Sequence, residues 1–256
     1  MGYVEDILVS VITPCHNSAQ FIKETYECLV QQTYWNWEWL VVDDASDDDT
    51  ISILSHFARL DDRIRVLENA ENSGAAVSRN VALRESKGEF VAFLDSDDLW
   101  YPNKLMAQLS YMTQNKKIKF SFTKYELCDE SGRSLGKIVD DKGPSRVSYK
   151  DMLKKSATLG CSTVMLHRSI VNHLMPLLRT GQDYAFWLLL LRVNSVHAYK
   201  VEEVLALYRV RSGSISRNKL KKARRQWQIY RDVEGLGLFY SALCFTYYAY
   251  HAVFRR

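Results

Sequence analysis

Residues 90–98 read FVAFLDSDD, an apolar run of strand length that stops at three carboxylates within four residues. Two earlier runs, 8–13 and 37–42, also stop at polar residues. The first is followed by PCHN and the second by DDASDDDT. Because ligands of a parallel α/β sheet bind outside the carboxyl ends of its strands, three such polar ends predict a binding site at one edge of a sheet.

The apolar periodicity alternates between strand-like and helix-like segments through the first 110 residues or so. Ser18 is the expected N-cap of the first helix, and Pro102 suits the first turn of the fourth. This alternation predicts an α/β fold with a mostly parallel sheet and helices on both faces. The expected strands are 8–13, 37–42, 64–68 and 90–94, and the expected later helices are 50–59, 75–86 and 102–115.

Beyond residue 118 the pattern changes. Two apolar runs, 120–127 and 135–139, flank the sequence DESG at 129–132, which predicts a β-hairpin. Further short strands are expected at 163–167 and within 196–210, with a helix at 183–192 between them. The change of pattern therefore divides the chain near residue 117.

The composition is that of a globular chain. Of its 256 residues, 47% are hydrophobic and 25% are charged. The five cysteines are an odd number and include no C-x-x-C pair, so neither a disulfide framework nor a structural zinc site is expected. A reducing cytoplasm is the compartment that fits this cysteine content.

The acidic run at 95–98 has a chemical interpretation of its own. Carboxylates this close repel one another unless a cation compensates their charge. Mg²⁺ binds one or two carboxylates and completes its shell with phosphate oxygens and water. The run therefore predicts a site for a metal ion and a diphosphate, and the alternative is a solvated turn without a ligand.

A nicotinamide-dependent dehydrogenase is the obvious competing interpretation, because VVD at 41–43 resembles a strand that ends in a ribose-binding acid. That fold requires a glycine-rich phosphate loop after the first strand. The corresponding residues 14–18 read PCHNS and contain no glycine. The dehydrogenase class is therefore excluded.

Six segments in order along the chain resemble the inverting, nucleotide-sugar-dependent glycosyltransferases of family 2, which have the GT-A fold. The resemblance covers about residues 1–216 and implies a Rossmann-like, mostly parallel sheet. It also implies a nucleotide-binding half at 1–116 and an acceptor half at 117–216. The close matches are 9–17, 40–50, 72–80 and 93–100, and the looser ones are 182–184 and 208–216.

The resemblance implies a nucleotide-base pocket at the first two strand ends. Asp43 and Asp44 are similar to a carboxylate that accepts the imide N–H of uracil, and Arg79 is similar to an arginine near the nucleotide. The turn after the first strand would contribute Thr13, Pro14 and Asn17. The implied donor is a nucleotide sugar, and a UDP-sugar is the expected one.

The resemblance also implies the reacting groups. Asp95 and Ser96 would contact the donor, Asp97 would bind a divalent cation (Mn²⁺ or Mg²⁺), and Asp183 would be the catalytic base. Such a cation neutralises the charge that develops on the departing diphosphate. A carboxylate base on the opposite face deprotonates the acceptor hydroxyl, so direct displacement inverts the anomeric carbon.

Two residues depart from the family pattern. Gln182 precedes the base, where the family usually has Glu. Arg211 occupies the position of a common histidine near the metal and the diphosphate. Arginine does not ligate a metal but binds phosphate oxygens directly, so Arg211 is expected to contact the nucleotide sugar.

The charge is distributed unevenly. The net charge is +4, but residues 217–256 carry nine Lys and Arg against two acidic residues, which leaves the rest of the chain at −3. An uncharged aromatic run at 236–254 follows the basic cluster. This pattern predicts a helical tail that lies in the plane of an anionic membrane through Leu236, Phe239, Leu243, Phe245 and Phe254.

Packing of the tail on the catalytic domain and a membrane span are the alternatives to in-plane binding. Nucleic acid is not an expected partner, because no recognition motif accompanies the basic cluster. The expected function is transfer of a sugar to a lipid-linked saccharide in surface-polysaccharide synthesis (O-antigen or capsule), at the cytoplasmic face of the membrane. A sugar-nucleotide-forming nucleotidyltransferase and an inactive membrane-associated scaffold of the same fold are the alternatives.

Overall fold

The computed structural model describes residues 6–211 and 219–254, and these residues form a ten-stranded sheet with flanking helices. The strands are β1 (Val9–Cys15), β2 (Trp37–Asp43), β3 (Ile64–Glu68), β4 (Phe90–Phe93), β5 (Leu99–Trp100), β6 (Phe120–Cys128), β7 (Ser134–Val139), β8 (Arg146–Val147), β9 (Met165–His167) and β10 (Ala198–Arg209). The helices are α1 (Ile22–Val30), α2 (Thr50–Leu60), α3 (Ala75–Glu85), α4 (Lys104–Gln114), α5 (Tyr149–Leu153), α6 (Gln182–Val193), α7 (Lys219–Gln228) and α8 (Leu238–Phe254).

The sheet has a parallel half and a mixed half. Strands β3, β2, β1 and β4 are parallel neighbours in that order. Beyond them, β9 pairs antiparallel with both β4 and β6, and β10 lies parallel to β6. Strands β6 and β7 form the predicted hairpin around Asp129–Gly132, where the N–H of Gly132 donates to the carbonyl of Asp129. The predicted α/β fold with a mostly parallel central sheet is confirmed.

Each face of the sheet carries its own hydrophobic core. Along β1, Ile12 belongs to one core and Val11 to the other, as expected from the alternation of side chains along a strand. Helices α3, α5 and α6 contribute to the first core, and α1, α2 and α4 to the second. The prediction of helices on both faces is therefore confirmed.

Two predicted helix starts are wrong. Helix α1 begins at Ile22 with Phe21 as its N-cap, and no side chain caps it. Ser18 instead accepts the N–H groups of Phe21 and Ile22 on its carbonyl oxygen, because a turn precedes the helix. Helix α4 begins at Lys104, so Pro102 lies before its first turn and uses its carbonyl to accept the N–H of Thr33.

The C-terminal helices pack on the domain with one face. A π-helical turn, Ile229–Val233, follows α7, and both Tyr230 of this turn and Cys244 of α8 are fully buried in the first core. Leu236 and Phe245 also pack against that core, which corrects their predicted insertion into a membrane. Phe239 and Leu243 face outward, at 92% and 47% exposure. In the described part of the chain, no helix combines the length and the apolar character that crossing a membrane requires.

Candidate active site

Three loops meet at the carboxyl edge of β1, β2 and β4. The register pairs Cys15 with Asp43 across β1 and β2. Nδ1 of His16 donates to the carbonyl of Asp44 over 2.9 Å, and the hydroxyls of Ser18 and Ser96 are hydrogen-bonded over 2.9 Å. The polar strand ends are therefore adjacent, as expected from the sequence.

Asp43 and Asp44 are each only 3% exposed and hold the loop after β2. The carboxylate of Asp43 accepts from the N–H (2.9 Å) and the hydroxyl (2.5 Å) of Ser46. Burial raises the pKa of Asp44, but its hydrogen bonds hold it below the ordinary value. The donors to Asp44 are the side-chain amide of Asn69 (2.6 Å) and the backbone N–H groups of Ser73 (3.0 Å) and Gly74 (2.7 Å).

Thr13, Pro14 and Asn17, which were expected to line the nucleotide pocket, differ in their exposure to solvent. Thr13 is fully buried, and its hydroxyl accepts the indole N–H of Trp39 over 2.8 Å, so its side chain lies in the second core. Pro14 is buried as well. Asn17 is exposed, has a positive φ of 50°, and accepts the N–H of Asp47 over 3.0 Å. Asn17 therefore presents its side chain at the edge.

The acidic turn after β4 divides into two kinds of carboxylate. The side chains of Asp95 and Asp97 are 28% and 29% exposed, whereas Asp98 is 1% exposed. Asp98 accepts the hydroxyl of Ser162 over 2.6 Å and the N–H of Arg209 over 3.0 Å. Burial, followed by the charges of Asp97 and Asp95, raises the pKa of Asp98 well above its ordinary value. Two of the three carboxylates, Asp95 and Asp97, therefore face the site.

Arg79 lies between the acidic turn and α6. It is 4% exposed, and one terminal nitrogen donates to Asp95 over 2.5 Å. Burial lowers the pKa of Arg79, but Cys161, Asp95 and Asp183 raise it above its ordinary value, so the guanidinium stays charged. Its Nε and other terminal nitrogen are buried without a partner in the described residues. Arg79 therefore has hydrogen-bonding capacity that the described residues do not use.

Asp183 lies in the first turn of α6 and is partly buried. Helix α6 is held on the sheet by Trp187, whose ring meets Phe93 and Phe120 edge-on at centroid distances of 5.4 and 5.5 Å. The N-cap of the helix is Gly181, which has a φ of 75°. Packing through Trp187 therefore brings Asp183 within the electrostatic range of Arg79.

The sequence reasoning did not single out Arg209, which organises the acidic turn from β10. Arg209 is 2% exposed and donates from its side chain to the carbonyl of Asp97 (2.7 Å) and to Oε2 of Glu24 (2.7 Å). Its position, two residues before Arg211 in a matched segment, was the available indication. Arg211 donates to Oδ2 of Asp97 over 3.4 Å. Residues 212–216 of that segment lie outside the described residues.

The carboxylates of the acidic turn are the candidate ligands of a metal ion. Among the residues that the structure describes, no group of three or more His, Cys, Asp or Glu side chains could hold one. Burial and the charge of Asp95 raise the pKa of Asp97, and Arg211 partly offsets this. Mg²⁺ and similar hard cations are often bound through one or two carboxylates plus substrate phosphates. Asp95 and Asp97 therefore fit a cation that binds together with a diphosphate.

Comparison with known proteins identifies close relatives. Residues 10–174 match the family model described as glycosyl transferase family 2. The putative teichuronic acid biosynthesis glycosyltransferase TuaG of Bacillus subtilis (strain 168) is 43% identical over 250 residues, which are 97% of each chain. WfgD of Escherichia coli is 38% identical over 229 residues, which span 90% of this chain and 87% of WfgD. Its name is UDP-Glc:alpha-D-GlcNAc-diphosphoundecaprenol beta-1,3-glucosyltransferase.

A solved structure shares the fold. The crystal structure of S. aureus TarS 1–349 in complex with UDP-GlcNAc superposes with a TM-score of 0.73 at 21% identity. The match covers 97% of this chain and 73% of the TarS chain. At that identity the likeness shows a common fold and nothing of the ligand.

Proposed function

The chain belongs to glycosyl transferase family 2 and has the GT-A fold, and from this premise we propose that it transfers a sugar from a UDP-sugar to a lipid-linked saccharide. The reaction inverts the anomeric carbon and contributes to a surface polysaccharide. The names of two relatives support this: TuaG is named for teichuronic acid biosynthesis and WfgD for a diphosphoundecaprenol-linked acceptor. Family membership supports a glycosyltransferase over a nucleotidyltransferase.

The position of Arg79 carries the proposal. It is hydrogen-bonded to Asp95 of the acidic turn and lies in the electrostatic range of Asp183 on α6. Two carboxylates from distant parts of the chain therefore share one buried cation. This arrangement supports a donor site and a base on the same sheet edge.

On the donor side, the proposal assigns the nucleotide to the loops after β1 and β2, and the diphosphate to the acidic turn. Asp97, with Asp95, would hold Mn²⁺ or Mg²⁺, which acts as a Lewis acid on the leaving diphosphate when bound. The unpartnered N–H groups of Arg79 would form hydrogen bonds to oxygens of the UDP-sugar. Arg211 would release its hydrogen bond to Asp97 and donate to a phosphate oxygen instead. These contacts strengthen as negative charge develops.

On the acceptor side, Asp183 would accept the proton of the attacking hydroxyl at a carboxylate oxygen. A positioned base of this kind contributes roughly 10²- to 10⁴-fold to a rate. The hydroxyl attacks from the face opposite the diphosphate, which gives inversion. Gln182 beside the base is neutral, so the usual second carboxylate is missing here.

The proposal includes docking of residues 217–256 on an anionic membrane at the cytoplasmic face. The outer face of α8 exposes Phe239 and Leu243, and the outer side of α7 exposes Lys221 and Arg224. Burial of apolar side chains and attraction of basic ones act together at such a surface. The five cysteines are free and buried, which supports a reducing compartment.

A UDP-release assay tests the function. The purified chain, with Mn²⁺, is offered a panel of UDP-sugars with and without a short-chain GlcNAc-diphosphate-lipid. We expect acceptor-dependent release of UDP from one donor, and loss of release after chelation with EDTA. Absence of UDP release from every UDP-sugar, with and without acceptor, would contradict the proposal and favour an inactive scaffold. That alternative is suggested by Gln182 and Arg211, which depart from the family pattern.

A further inference from the structure

The inner side of α7 carries two cations, Lys222 and Arg225. They are three residues apart and so share one face of the helix, the face on which Gln226 and Ile229 are buried. Lys222 and Arg225 are partly buried, whereas Arg224 is exposed. The basic helix therefore has one charged side turned toward the protein and another toward solvent.

Arg225 packs on Gly181, the residue just before α6. A Cβ atom added at Gly181 would lie 3.0 Å from both Cδ and Nε of Arg225. Gly181 is the N-cap of α6, and no side chain caps the helix there. Asp183, the proposed base, follows two residues later. A cation of α7 therefore lies against the N-cap of the helix whose first turn carries the proposed base.

No carboxylate in the described residues forms an ion pair with Lys222 or Arg225. Burial and the charge of Arg225 lower the pKa of Lys222. The uncapped start of α6 adds the positive end of a helix dipole. A bound anion would offset the repulsion between Lys222 and Arg225.

We propose that Lys222 and Arg225 bind the diphosphate of the lipid-linked acceptor. This inference rests on the proposed function, with Asp183 as the base. In the acceptor that the name of WfgD specifies, one GlcNAc carries the diphosphate and receives the new 1,3-bond. One sugar ring therefore separates the reacting hydroxyl from the diphosphate. The diphosphate must then lie close to the base, which is where Arg225 meets Gly181.

A lipid headgroup phosphate offers similar chemistry, and α7 belongs to the segment proposed to dock on the membrane. The two sources reach different sides of the helix. Headgroups would meet the exposed side, which carries Arg224, whereas the acceptor diphosphate would meet the inner pair. The guanidinium fork of Arg225 can bind two phosphate oxygens at once, and Lys222 adds a point charge.

Steady-state kinetics with two water-soluble acceptors tests the inference: GlcNAc linked to a short alkyl diphosphate, and the alkyl glycoside without phosphate. Arg225→Ala and Lys222→Ala should each raise the KM for the diphosphate acceptor by about 10- to 100-fold, as expected for loss of charge-assisted hydrogen bonds. The KM for the nucleotide sugar and for the phosphate-free acceptor should not change. Arg225→Lys should fall between the wild type and Arg225→Ala.

Arg224→Ala is the matched control, because it removes the same charge from the exposed side of α7. It should leave the KM for the soluble diphosphate acceptor unchanged and weaken flotation with anionic vesicles. An equal KM increase for both acceptors would overturn the inference and make Arg225 a residue that merely supports α6. Equal effects of Arg224→Ala and Arg225→Ala would overturn it as well.

Binding without turnover separates this inference from the proposed function. Calorimetry without donor compares the alkyl-diphosphate GlcNAc on the wild type and on Arg225→Ala. Weaker binding to the variant supports the diphosphate site even where no sugar is transferred. Equal binding, or no binding to the wild type, overturns the site. Failure of every UDP-sugar to react overturns the proposed function alone.

Discussion

Oδ1 of Asp98 accepts the backbone N–H of Arg209 over 3.0 Å and joins the acidic turn after β4 to the end of β10. Oδ2 of the same carboxyl group accepts the hydroxyl of Ser162 over 2.6 Å. Asp98 therefore connects three segments that are far apart in the chain. Asp95 and Asp97, in the same run of sequence, are left facing the site. We therefore expect removal of the Asp98 carboxylate to affect stability, and removal of the Asp97 carboxylate to affect activity.

Asp98→Ala should destabilise the fold, because it leaves the Ser162 hydroxyl and the Arg209 N–H buried without a partner. We expect a loss of about 2–4 kcal/mol in the free energy of unfolding, measured by urea denaturation. Asp97→Ala is the matched control and should not lower stability, because it removes a like charge from the same turn. Equal losses in the two variants would contradict the separation of roles.

Asp97→Ala should abolish transfer and remove the metal dependence of UDP binding, because the carboxylate would no longer hold the cation on the diphosphate. Calorimetric titration of UDP with and without Mn²⁺ measures this effect. An unchanged Mn²⁺-dependent affinity in the variant would refute the assignment.

Asp183→Asn should lower kcat by roughly 10²- to 10⁴-fold and leave UDP affinity unchanged, because the amide does not accept the proton of the acceptor hydroxyl. Single-turnover kinetics and UDP titration give the two quantities. Loss of UDP affinity would instead assign Asp183 to the donor site or to the fold.

Asp44→Asn should make the free energy of unfolding less dependent on pH in the acid range. Burial raises the pKa of Asp44, but its hydrogen bonds hold it below the ordinary 3.8, so the ionised form stabilises the fold. That contribution is complete well above pH 3.8 and is lost as the pH falls through the lower folded value. The variant should lose about 1–3 kcal/mol at neutral pH, and its difference from the wild type should shrink below pH 3.8.

Urea denaturation at several pH values measures this difference. Asp47→Asn, exposed on the same loop, is the control and should follow the wild type. A constant difference between Asp44→Asn and the wild type down to the acid limit would contradict the prediction.

The double variant Phe239→Ser, Leu243→Ser should lose most of its flotation with anionic liposomes, because both side chains are exposed on the outer face of α8. High salt should release only part of the wild type, since it screens charges and leaves the apolar contribution. Leu60→Ser, at a 66% exposed site on α2, is the control and should float normally. Normal flotation of the double variant would argue against docking through this face.

Point variants are preferable to truncation here. Cys244 is fully buried and Phe245 packs against the first core, so removal of α8 would expose that core. A truncated chain would then lose flotation and stability together. Substitution of exposed residues changes the surface alone, and surface changes usually alter stability by only about 0.5 kcal/mol or less.

Local patterns predicted the first four strands to within two residues, because hydrophobic period and turn composition are properties of short segments. They failed at Ser18, which has the side chain of a good N-cap. Its hydroxyl is hydrogen-bonded to Ser96 instead, and its carbonyl accepts the N–H groups of the turn before α1. The residue type of Ser18 does not predict a hydrogen bond to Ser96, which is distant in the sequence and approaches only in the folded protein.

The sequence by itself determined the alternation of strands and helices, the acidic turn after β4, the resemblance to family 2 and the basic helix near the C-terminus. The tertiary structure alone decided that Asp98 joins three segments, that Arg79 lies between Asp95 and Asp183, and that Arg225 contacts Gly181. The reason is physical. Strand and helix formation follows from patterns within a few turns of chain, whereas these contacts depend on sheet register and on how the helices pack across it.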